Sequence, residues 1–202
     1  MSMSLKVIVP PHPLINHWLS ILRNKHTHEV LYSTGFEQIG KWLTYEALRD
    51  WLPFRKELIE TNTGEAEGIF VDTEYPIRVI VQSSEGLSLW LGSKEIIPNS
   101  TLSLGCLPDK IANNEGIIIY SEQIMKNNRS LKILEGLNTL GVESNRILLI
   151  SCISGNLGLN EIAKRFPKQT IYTACIDNEE GSNEVLDPGI GNPIFRLSTK
   201  FQ

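Results

Sequence analysis

A chain of 202 residues is long enough for one substantial hydrophobic core and barely long enough for two, so a single domain is expected. Hydrophobic residues make up 41% and charged residues 21%, which is ordinary for a globular protein, and no apolar run is long enough to span a membrane. The formal net charge of -4 disfavours binding to nucleic acid through a basic surface. We therefore expect a soluble protein with neither a membrane span nor a nucleic-acid partner.

The cysteines and histidines predict neither disulfides nor a metal site. Cys106, Cys152 and Cys175 lie within apolar segments at spacings typical of buried thiols rather than of metal knuckles or disulfide frameworks. His26 and His28 form the one close histidine pair, and no third ligand is nearby in the sequence. The first residues lack the features of a secretory signal. We expect a cytoplasmic protein.

The first part of the chain predicts two helices and then an arm of β structure. Apolar residues recur at helical spacing up to Leu22 and again between Phe36 and Ala47, which predicts two amphipathic helices within 12–50. Pro53 ends this pattern. Between 56 and 82, β-branched and polar residues alternate around turn residues, which predicts a β-arm or hairpin.

From residue 77 onwards, short apolar segments alternate with helix-length amphipathic ones, as expected for parallel strands that are buried on both faces. The predicted strands are Ile77 to Val81, Thr101 to Leu107, Gly116 to Tyr120, Arg146 to Ile153 and Thr170 to Ile176. Right-handed crossovers place the loops after these strands at one edge of the sheet, where ligands of open α/β sheets bind. These loops are 82–86, 107–115, 121–130, 153–158 and 176–192.

Two of these loops carry candidate binding residues. Asn127, Asn128, Arg129 and Ser130 precede a predicted helix, so they form either a weak anion site at its N-terminus or an ordinary loop capped by Ser130. The loop from Asp187 to Pro193 contains two glycines between two prolines. It is either a rigid surface turn or a rigid loop whose backbone binds a flat heterocycle.

Three strings of residues resemble the uracil phosphoribosyltransferase family over nearly the whole chain. The first is His12-Pro13-Leu14 with His17, and the second is Leu43-Thr44-Tyr45-Glu46-Ala47 with Asp50. The third is Ile171-Tyr172-Thr173-Ala174 with Ile176-Asp177, followed by Pro188-Gly189-Ile190-Gly191. Their order and intervals match the family's.

The resemblance implies an α/β protein with the phosphoribosyltransferase type-I fold, in which helices flank a mainly parallel sheet. It implies a single domain of residues 1–202. Its parts would be an N-terminal helical hood at 12–50, a β-arm at 56–82, an α/β core at 77–180 and a nucleobase-turn segment at 181–202. It also implies a homodimer formed through the β-arm, Mg²⁺, and the formation of UMP from uracil and phosphoribosyl diphosphate.

The chain departs from the family's motifs at the positions that bind substrate. The arginine and alanine of R-A-G-L fall on Ser84 and Glu85, and the arginine of M-Y-R falls on Pro108. The phosphoribosyl diphosphate loop falls on 121–129 without one identity, which leaves Asn127, Asn128, Arg129 and Ser130 as its remnant. In the nucleobase turn, Leu186 and Gly191 precede Asn192 and Pro193, which replace the family's aspartate and alanine.

We therefore hypothesise a member of the family that has lost catalysis and binds a nucleobase, a nucleotide or an unidentified protein partner. No catalytic residue and no metal ligand is assigned. In such reactions, hydrogen-bond donors stabilise the charge that leaves with the diphosphate, and losing even one of them typically slows the reaction about a hundredfold or more. The alternative is an active, Mg²⁺-dependent uracil phosphoribosyltransferase in which Glu122, Arg129 and Asn192 take displaced roles.

Overall fold

A mainly parallel β-sheet organises the computed structural model, which describes residues 5–126, 129–180 and 185–197. The strands are β1 (Lys6–Ile8), β2 (Phe54–Thr61), β3 (Gly64–Val71), β4 (Ile77–Val81), β5 (Ser100–Leu104), β6 (Gly116–Ile124), β7 (Ile147–Gly155), β8 (Thr170–Thr173), β9 (Ile176–Glu180) and β10 (Val185–Asp187). The helices are α1 (Pro13–Arg23), α2 (Glu29–Leu48), α3 (Ser84–Ser93), α4 (Arg129–Thr139), α5 (Asn156–Arg165) and α6 (Pro193–Leu197).

The strand order places a topological switch point between β4 and β6. The order is β1-β8-β7-β6-β4-β5, and every neighbouring pair in it is parallel. The chain therefore moves outwards from β4 to β5 and then returns to the other side of β4 to form β6. In open α/β sheets, ligands bind at the carboxyl ends of the strands at such a reversal.

Apolar side chains cover both faces of the sheet, because its strands are buried on both sides. One face packs under α1, α2 and α3, with Val79, Ile118 and Ile150 among its buried residues. The other packs under α4 and α5, with Ile117 and Leu149 among its buried residues. The predicted fold class is confirmed: the chain is an α/β protein with helices on both faces of a mainly parallel sheet.

A hydrogen-bonded group ties the helices of the first face to the centre of the sheet. The hydroxyl of Tyr120 on β6 lies 2.7 Å from the hydroxyls of both Thr44 on α2 and Ser93 on α3. Burial raises the pKa of Tyr120, although both hydrogen bonds oppose that shift. Tyr120 therefore stays protonated and holds α3 in place. The N-terminus of α3 lies at the switch point.

The β-arm is an exposed antiparallel hairpin of β2 and β3, in which Phe54 pairs with Val71 and Thr61 with Gly64. It is shorter than the predicted 56–82, because Ile77–Val81 continues into the sheet as β4 and is buried there. Gly64 has a φ of 145°, a conformation that few residues other than glycine adopt, at the tight turn. No helix in the described ranges is long and apolar enough to cross a membrane.

Several elements differ from the sequence-based expectations. The predicted strand 170–176 is two strands, β8 and β9, and β6 continues to Ile124, into the predicted loop 121–130. Cys152 is buried as predicted, but Cys106 is exposed and Cys175 is half-buried. His12 caps α1, because its Nδ1 accepts the backbone N–H of Leu14 at 3.1 Å.

Candidate functional site

A cleft of about 310 Å³ lies at the switch point, beside the ends of β4 and β6. One wall comes from the N-terminus of α3 and the end of β6, and contributes Glu85, Glu122, Gln123 and Met125. The opposite wall is the C-terminal segment, which contributes Val185, Leu186, Gly189, Ile190, Gly191, Asn192, Pro193 and Ile194. The structure thus brings the predicted nucleobase-turn residues to the edge where the sequence places a ligand.

The C-terminal wall is a constrained turn. The peptide between Asp187 and Pro188 is cis, and Gly189 and Gly191 have φ values of 60° and 75°. A Cβ on Gly189 would overlap the carbonyl oxygen of Leu186, so only glycine fits there. The turn therefore presents backbone groups to the cleft in a fixed arrangement.

The helical hood holds this turn from behind. The hydroxyl of Tyr32 on α2 donates to the carbonyl oxygen of Ile190 at 2.9 Å, and the guanidinium of Arg196 lies 4.0 Å from the Tyr32 ring centroid. Arg196 also donates to the Ile190 carbonyl at 3.1 Å. Burial raises the pKa of Tyr32, so its hydroxyl keeps the proton that it donates.

A second link joins α1 to the turn through β9. The Arg23 guanidinium donates to both carboxylate oxygens of Asp177, at 2.9 and 2.7 Å, and to the carbonyl oxygen of Gly189 at 3.2 Å. The Gly189 N–H in turn donates to Asp177 at 3.0 Å. Burial opposes the charge on Arg23, but the hydrogen bond to Asp177 and the nearby negative charges outweigh it and raise the pKa of Arg23.

Two glutamates make the opposite wall acidic. Ser83 caps α3, because its hydroxyl accepts the Gly86 N–H at 3.0 Å, and the same hydroxyl donates to Glu122 at 2.6 Å. Glu85 follows in the first helical turn and is 3% exposed. Its Oε1 has no hydrogen-bond partner within the described parts of the chain. A buried carboxylate oxygen without a donor is costly.

The described residues of the phosphate-loop remnant lie outside the cleft lining. Arg129 is exposed and donates to the carbonyl oxygen of Gln82 at 3.3 Å, and Ser130 is 2% exposed. Neither lines the cleft, whereas Asn127 and Asn128 lie outside the described residues. The role that the sequence assigns to these four residues stays a prediction.

The carboxylate of Glu179 already accepts hydrogen bonds from backbone N–H groups at the end of β6 and the start of α5. Glu179 on β9 accepts the Lys126 N–H at 2.7 Å and the Gly158 N–H, in the first turn of α5, at 3.1 Å. A Cβ on Gly158 would lie 2.5 Å from the backbone carbon of Met125, so α5 packs directly on the chain after β6. These donors are therefore satisfied within the protein.

Sequence reasoning missed Gln123 and Met125 as cleft residues. The one signal in the sequence is Ile124, an apolar residue that follows Tyr120. Because Ile124 is buried, β6 continues beyond its predicted end and brings Gln123 and Met125 to the cleft. The Gln123 side-chain amide then reaches the carbonyl oxygen of Gly191 at 3.4 Å and closes one side of the cleft. No group of three or more metal-ligating side chains converges anywhere in residues 5–126, 129–180 and 185–197.

The fold and its cleft define an α/β protein of the phosphoribosyltransferase type I class. The family model "Uracil phosphoribosyltransferase" matches residues 9–103 and 99–194, which together span most of the sequence. The chain therefore belongs to the uracil phosphoribosyltransferase family, as its motifs predict.

Curated relatives align with almost the full length of the chain. A uracil phosphoribosyltransferase of Synechococcus elongatus is 28% identical, over 98% of both chains. One of Synechocystis is 30% identical, over 95% of this chain and 96% of the relative, and one of Nicotiana tabacum is 28% identical, over 92% and 90%. A solved protein of Aquifex aeolicus has the same fold, with a TM-score of 0.79 at 19% identity over 95% of this chain and 97% of its own.

Proposed function

We propose that this chain keeps the family's fold as a binding protein and does not transfer phosphoribosyl groups. The observation that carries the proposal is Glu85, a buried acidic residue of the cleft lining that stands at the position of an alanine in the family's R-A-G-L motif. The preceding arginine of that motif is replaced by Ser84, which is exposed and neutral. A site for a diphosphate thus has a negative charge where the family has none.

The size of this effect supports the loss of activity. Two like charges about 4 Å apart repel by about 4 kcal/mol at an effective dielectric constant near 20, which weakens binding by about a thousandfold. The missing arginine would also have stabilised the charge that leaves with the diphosphate, and losing one such donor typically costs a factor of about 10² to 10³ in rate. Among the described residues that line the cleft, no Lys or Arg side chain replaces it.

The second candidate function is an active uracil phosphoribosyltransferase. It is favoured by the near full-length similarity to relatives that carry this name. Glu122 and Asn192 line the cleft and are available for displaced roles, whereas Arg129 lies outside the lining. The described side chains offer no ready-made metal site, so Mg²⁺ would have to arrive with the diphosphate.

Formation of UMP from labelled uracil and phosphoribosyl diphosphate with Mg²⁺ separates these two candidates. We expect this chain to form no more UMP than a protein-free control does. A uracil phosphoribosyltransferase such as that of Synechocystis, assayed under the same conditions, serves as the positive control. Turnover by this chain within about tenfold of the relative would establish the second candidate and overturn the proposal.

We also propose that the protein is a cytoplasmic homodimer. The hairpin carries one strongly exposed apolar face, on which Phe54, Leu58 and Ile69 are 59%, 76% and 64% exposed. Lys56 and Glu67, which form an ion pair, lie on the same face: in the hairpin register Lys56 is opposite Ile69 and Glu67 is opposite Leu58. A second copy of this chain would cover that face. The free thiols Cys106, Cys152 and Cys175 support a reducing compartment.

A further inference from the structure

The contact between β9 and the start of α5 is built around one carboxylate. Glu179 on β9 is 9% exposed, and each of its carboxylate oxygens accepts one backbone N–H. Oε1 accepts the Lys126 N–H, from the chain after β6, at 2.7 Å, and Oε2 accepts the Gly158 N–H, from the first turn of α5, at 3.1 Å. The carboxylate thus joins three segments of the chain through two donors that lie far apart in the sequence.

The backbone around this carboxylate forms a small pocket that fits it. A Cβ on Gly155 would lie 2.6 Å from Oε2 of Glu179, so glycine at this position leaves room for the carboxylate. A Cβ on Gly158 would lie 2.5 Å from the backbone carbon of Met125, which brings α5 and the chain after β6 together. Asn156 holds the backbone of Glu179 in place, because its Oδ1 accepts the Glu179 N–H at 3.1 Å.

The donors in this pocket are of the kind that binds phosphate in other proteins. N–H groups in the first turn of a helix carry partial positive charge, and the helix dipole adds to the attraction for an anion. A phosphate group and a carboxylate each present oxygens that accept charge-assisted hydrogen bonds from such N–H groups. Lys126 also lies in the segment 121–129, which aligns with the family's phosphoribosyl diphosphate loop. A bound phosphate and the Glu179 carboxylate would therefore compete for the same donors.

We propose that Glu179 is an internal anion, which occupies a phosphate position between the chain after β6 and α5 and keeps phosphate groups out of it. The contact is autoinhibitory: the position is closed in the wild type and opens when the side chain is removed. Lys126 and Asn156 beside it are exposed, so the emptied pocket would connect to solvent. The inference rests on the proposed function, because it identifies one internal contact that excludes a phosphate-bearing substrate.

Titration of the full chain with inorganic phosphate, followed by the amide signals in NMR spectra, tests the proposal. Glu179→Ala should bind phosphate at least tenfold more tightly than the wild type, with saturable shifts of the Lys126 and Gly158 amides. In the wild type these two amides should not shift, because both already donate to the carboxylate. Saturable shifts of both amides in the wild type, or no such shifts in Glu179→Ala, overturn the proposal.

Two further variants separate occupation of the pocket from net charge. Glu95→Ala removes an exposed carboxylate between α3 and β5 and should leave phosphate binding at the wild-type level. Equal gains in Glu95→Ala and Glu179→Ala would show a general effect of charge and overturn the proposal.

Glu179→Gln keeps the length of the side chain and loses only its charge. It should bind phosphate more tightly than the wild type and more weakly than Glu179→Ala, because its amide still fills the pocket. This variant also decides the matter if Glu179→Ala does not fold, since a glutamine variant with no gain over the wild type overturns the proposal.

The two proposals fail separately. If Glu179→Ala gains no phosphate binding and the wild type forms no UMP, only the internal anion is wrong. If the wild type forms UMP at an enzymatic rate, the proposed function is wrong whatever the variants bind.

Discussion

Arg23 and Asp177, which are 154 residues apart in the sequence, form a two-pronged ion pair that joins the helical hood to the C-terminal turn. The side chain of Asp177 is 4% exposed and that of Arg23 is 24% exposed. Because Asp177 also accepts the Gly189 N–H, the pair fixes the backbone that forms one wall of the cleft. The hood therefore helps to shape the site without lining it.

Replacing Arg23 should destabilise the fold more than replacing an exposed arginine. Arg23→Met leaves the Asp177 carboxylate buried without its cation, which typically costs about 3 kcal/mol in the free energy of unfolding. Arg49→Met removes an exposed pair with Glu46 and should change that free energy by less than about 1 kcal/mol. Urea denaturation measures both. Equal effects would show that the Arg23 pair contributes no more than a surface ion pair.

Two glycines allow α2 and α3 to pack closely. A Cβ on Gly40 of α2 would overlap the Leu89 carbonyl on α3, and a Cβ on Gly92 of α3 would overlap the Glu37 carbonyl on α2. Gly→Ala in an unobstructed helix stabilises by about 0.5 to 1 kcal/mol. We expect the opposite sign here: Gly40→Ala and Gly92→Ala should each cost about 1 to 3 kcal/mol. A stabilised variant in thermal or urea unfolding would contradict the close packing.

The proposed dimer depends on the apolar face of the hairpin. Leu58→Asp places a charge in the middle of that face and should convert the dimer to a monomer in sedimentation velocity experiments. Val30→Asp is the control, because Val30 is 81% exposed on α2 and outside the hairpin. It should leave the dimer intact. A wild-type protein that sediments as a monomer at micromolar concentration would contradict the prediction.

The three thiols should react at different rates. Cys106 is exposed, whereas Cys152 is buried, and burial together with the Asp177 charge raises the pKa of Cys175 to about 12. Burial likewise raises the pKa of Cys152. At pH 8 both remain protonated and unreactive. A dithiobis-nitrobenzoate assay should therefore count one fast thiol, which is absent from Cys106→Ser, and three after unfolding. Fast reaction of the Cys106→Ser variant would contradict this assignment.

The sequence was sufficient to predict helices and strands with a strong hydrophobic pattern. It was insufficient to predict contacts between segments that are distant in the chain. Short apolar segments such as Ile77–Val81 predicted the central strands. In contrast, α3 contains several serines and glycines, and its close fit depends on Gly40 of another helix. The three-residue β1 depends on pairing with β8.

The same distinction holds for the candidate site. Pro188, Gly189 and Gly191 have restricted or special backbone conformations, so the turn could be placed from sequence alone. That Glu85 is buried with an unpaired oxygen could not be predicted, because the donors near it depend on how α2, α3 and the C-terminal segment pack together.

Calorimetric titration with phosphoribosyl diphosphate in the presence of Mg²⁺ tests the loss of transferase chemistry most directly, because an active enzyme must bind this substrate. We expect no binding heat from the wild type. Ser84→Arg/Glu85→Ala, which rebuilds the family's R-A-G-L motif, should bind inorganic diphosphate more tightly than the wild type does. Saturable binding of phosphoribosyl diphosphate to the wild type at micromolar concentration would contradict the account.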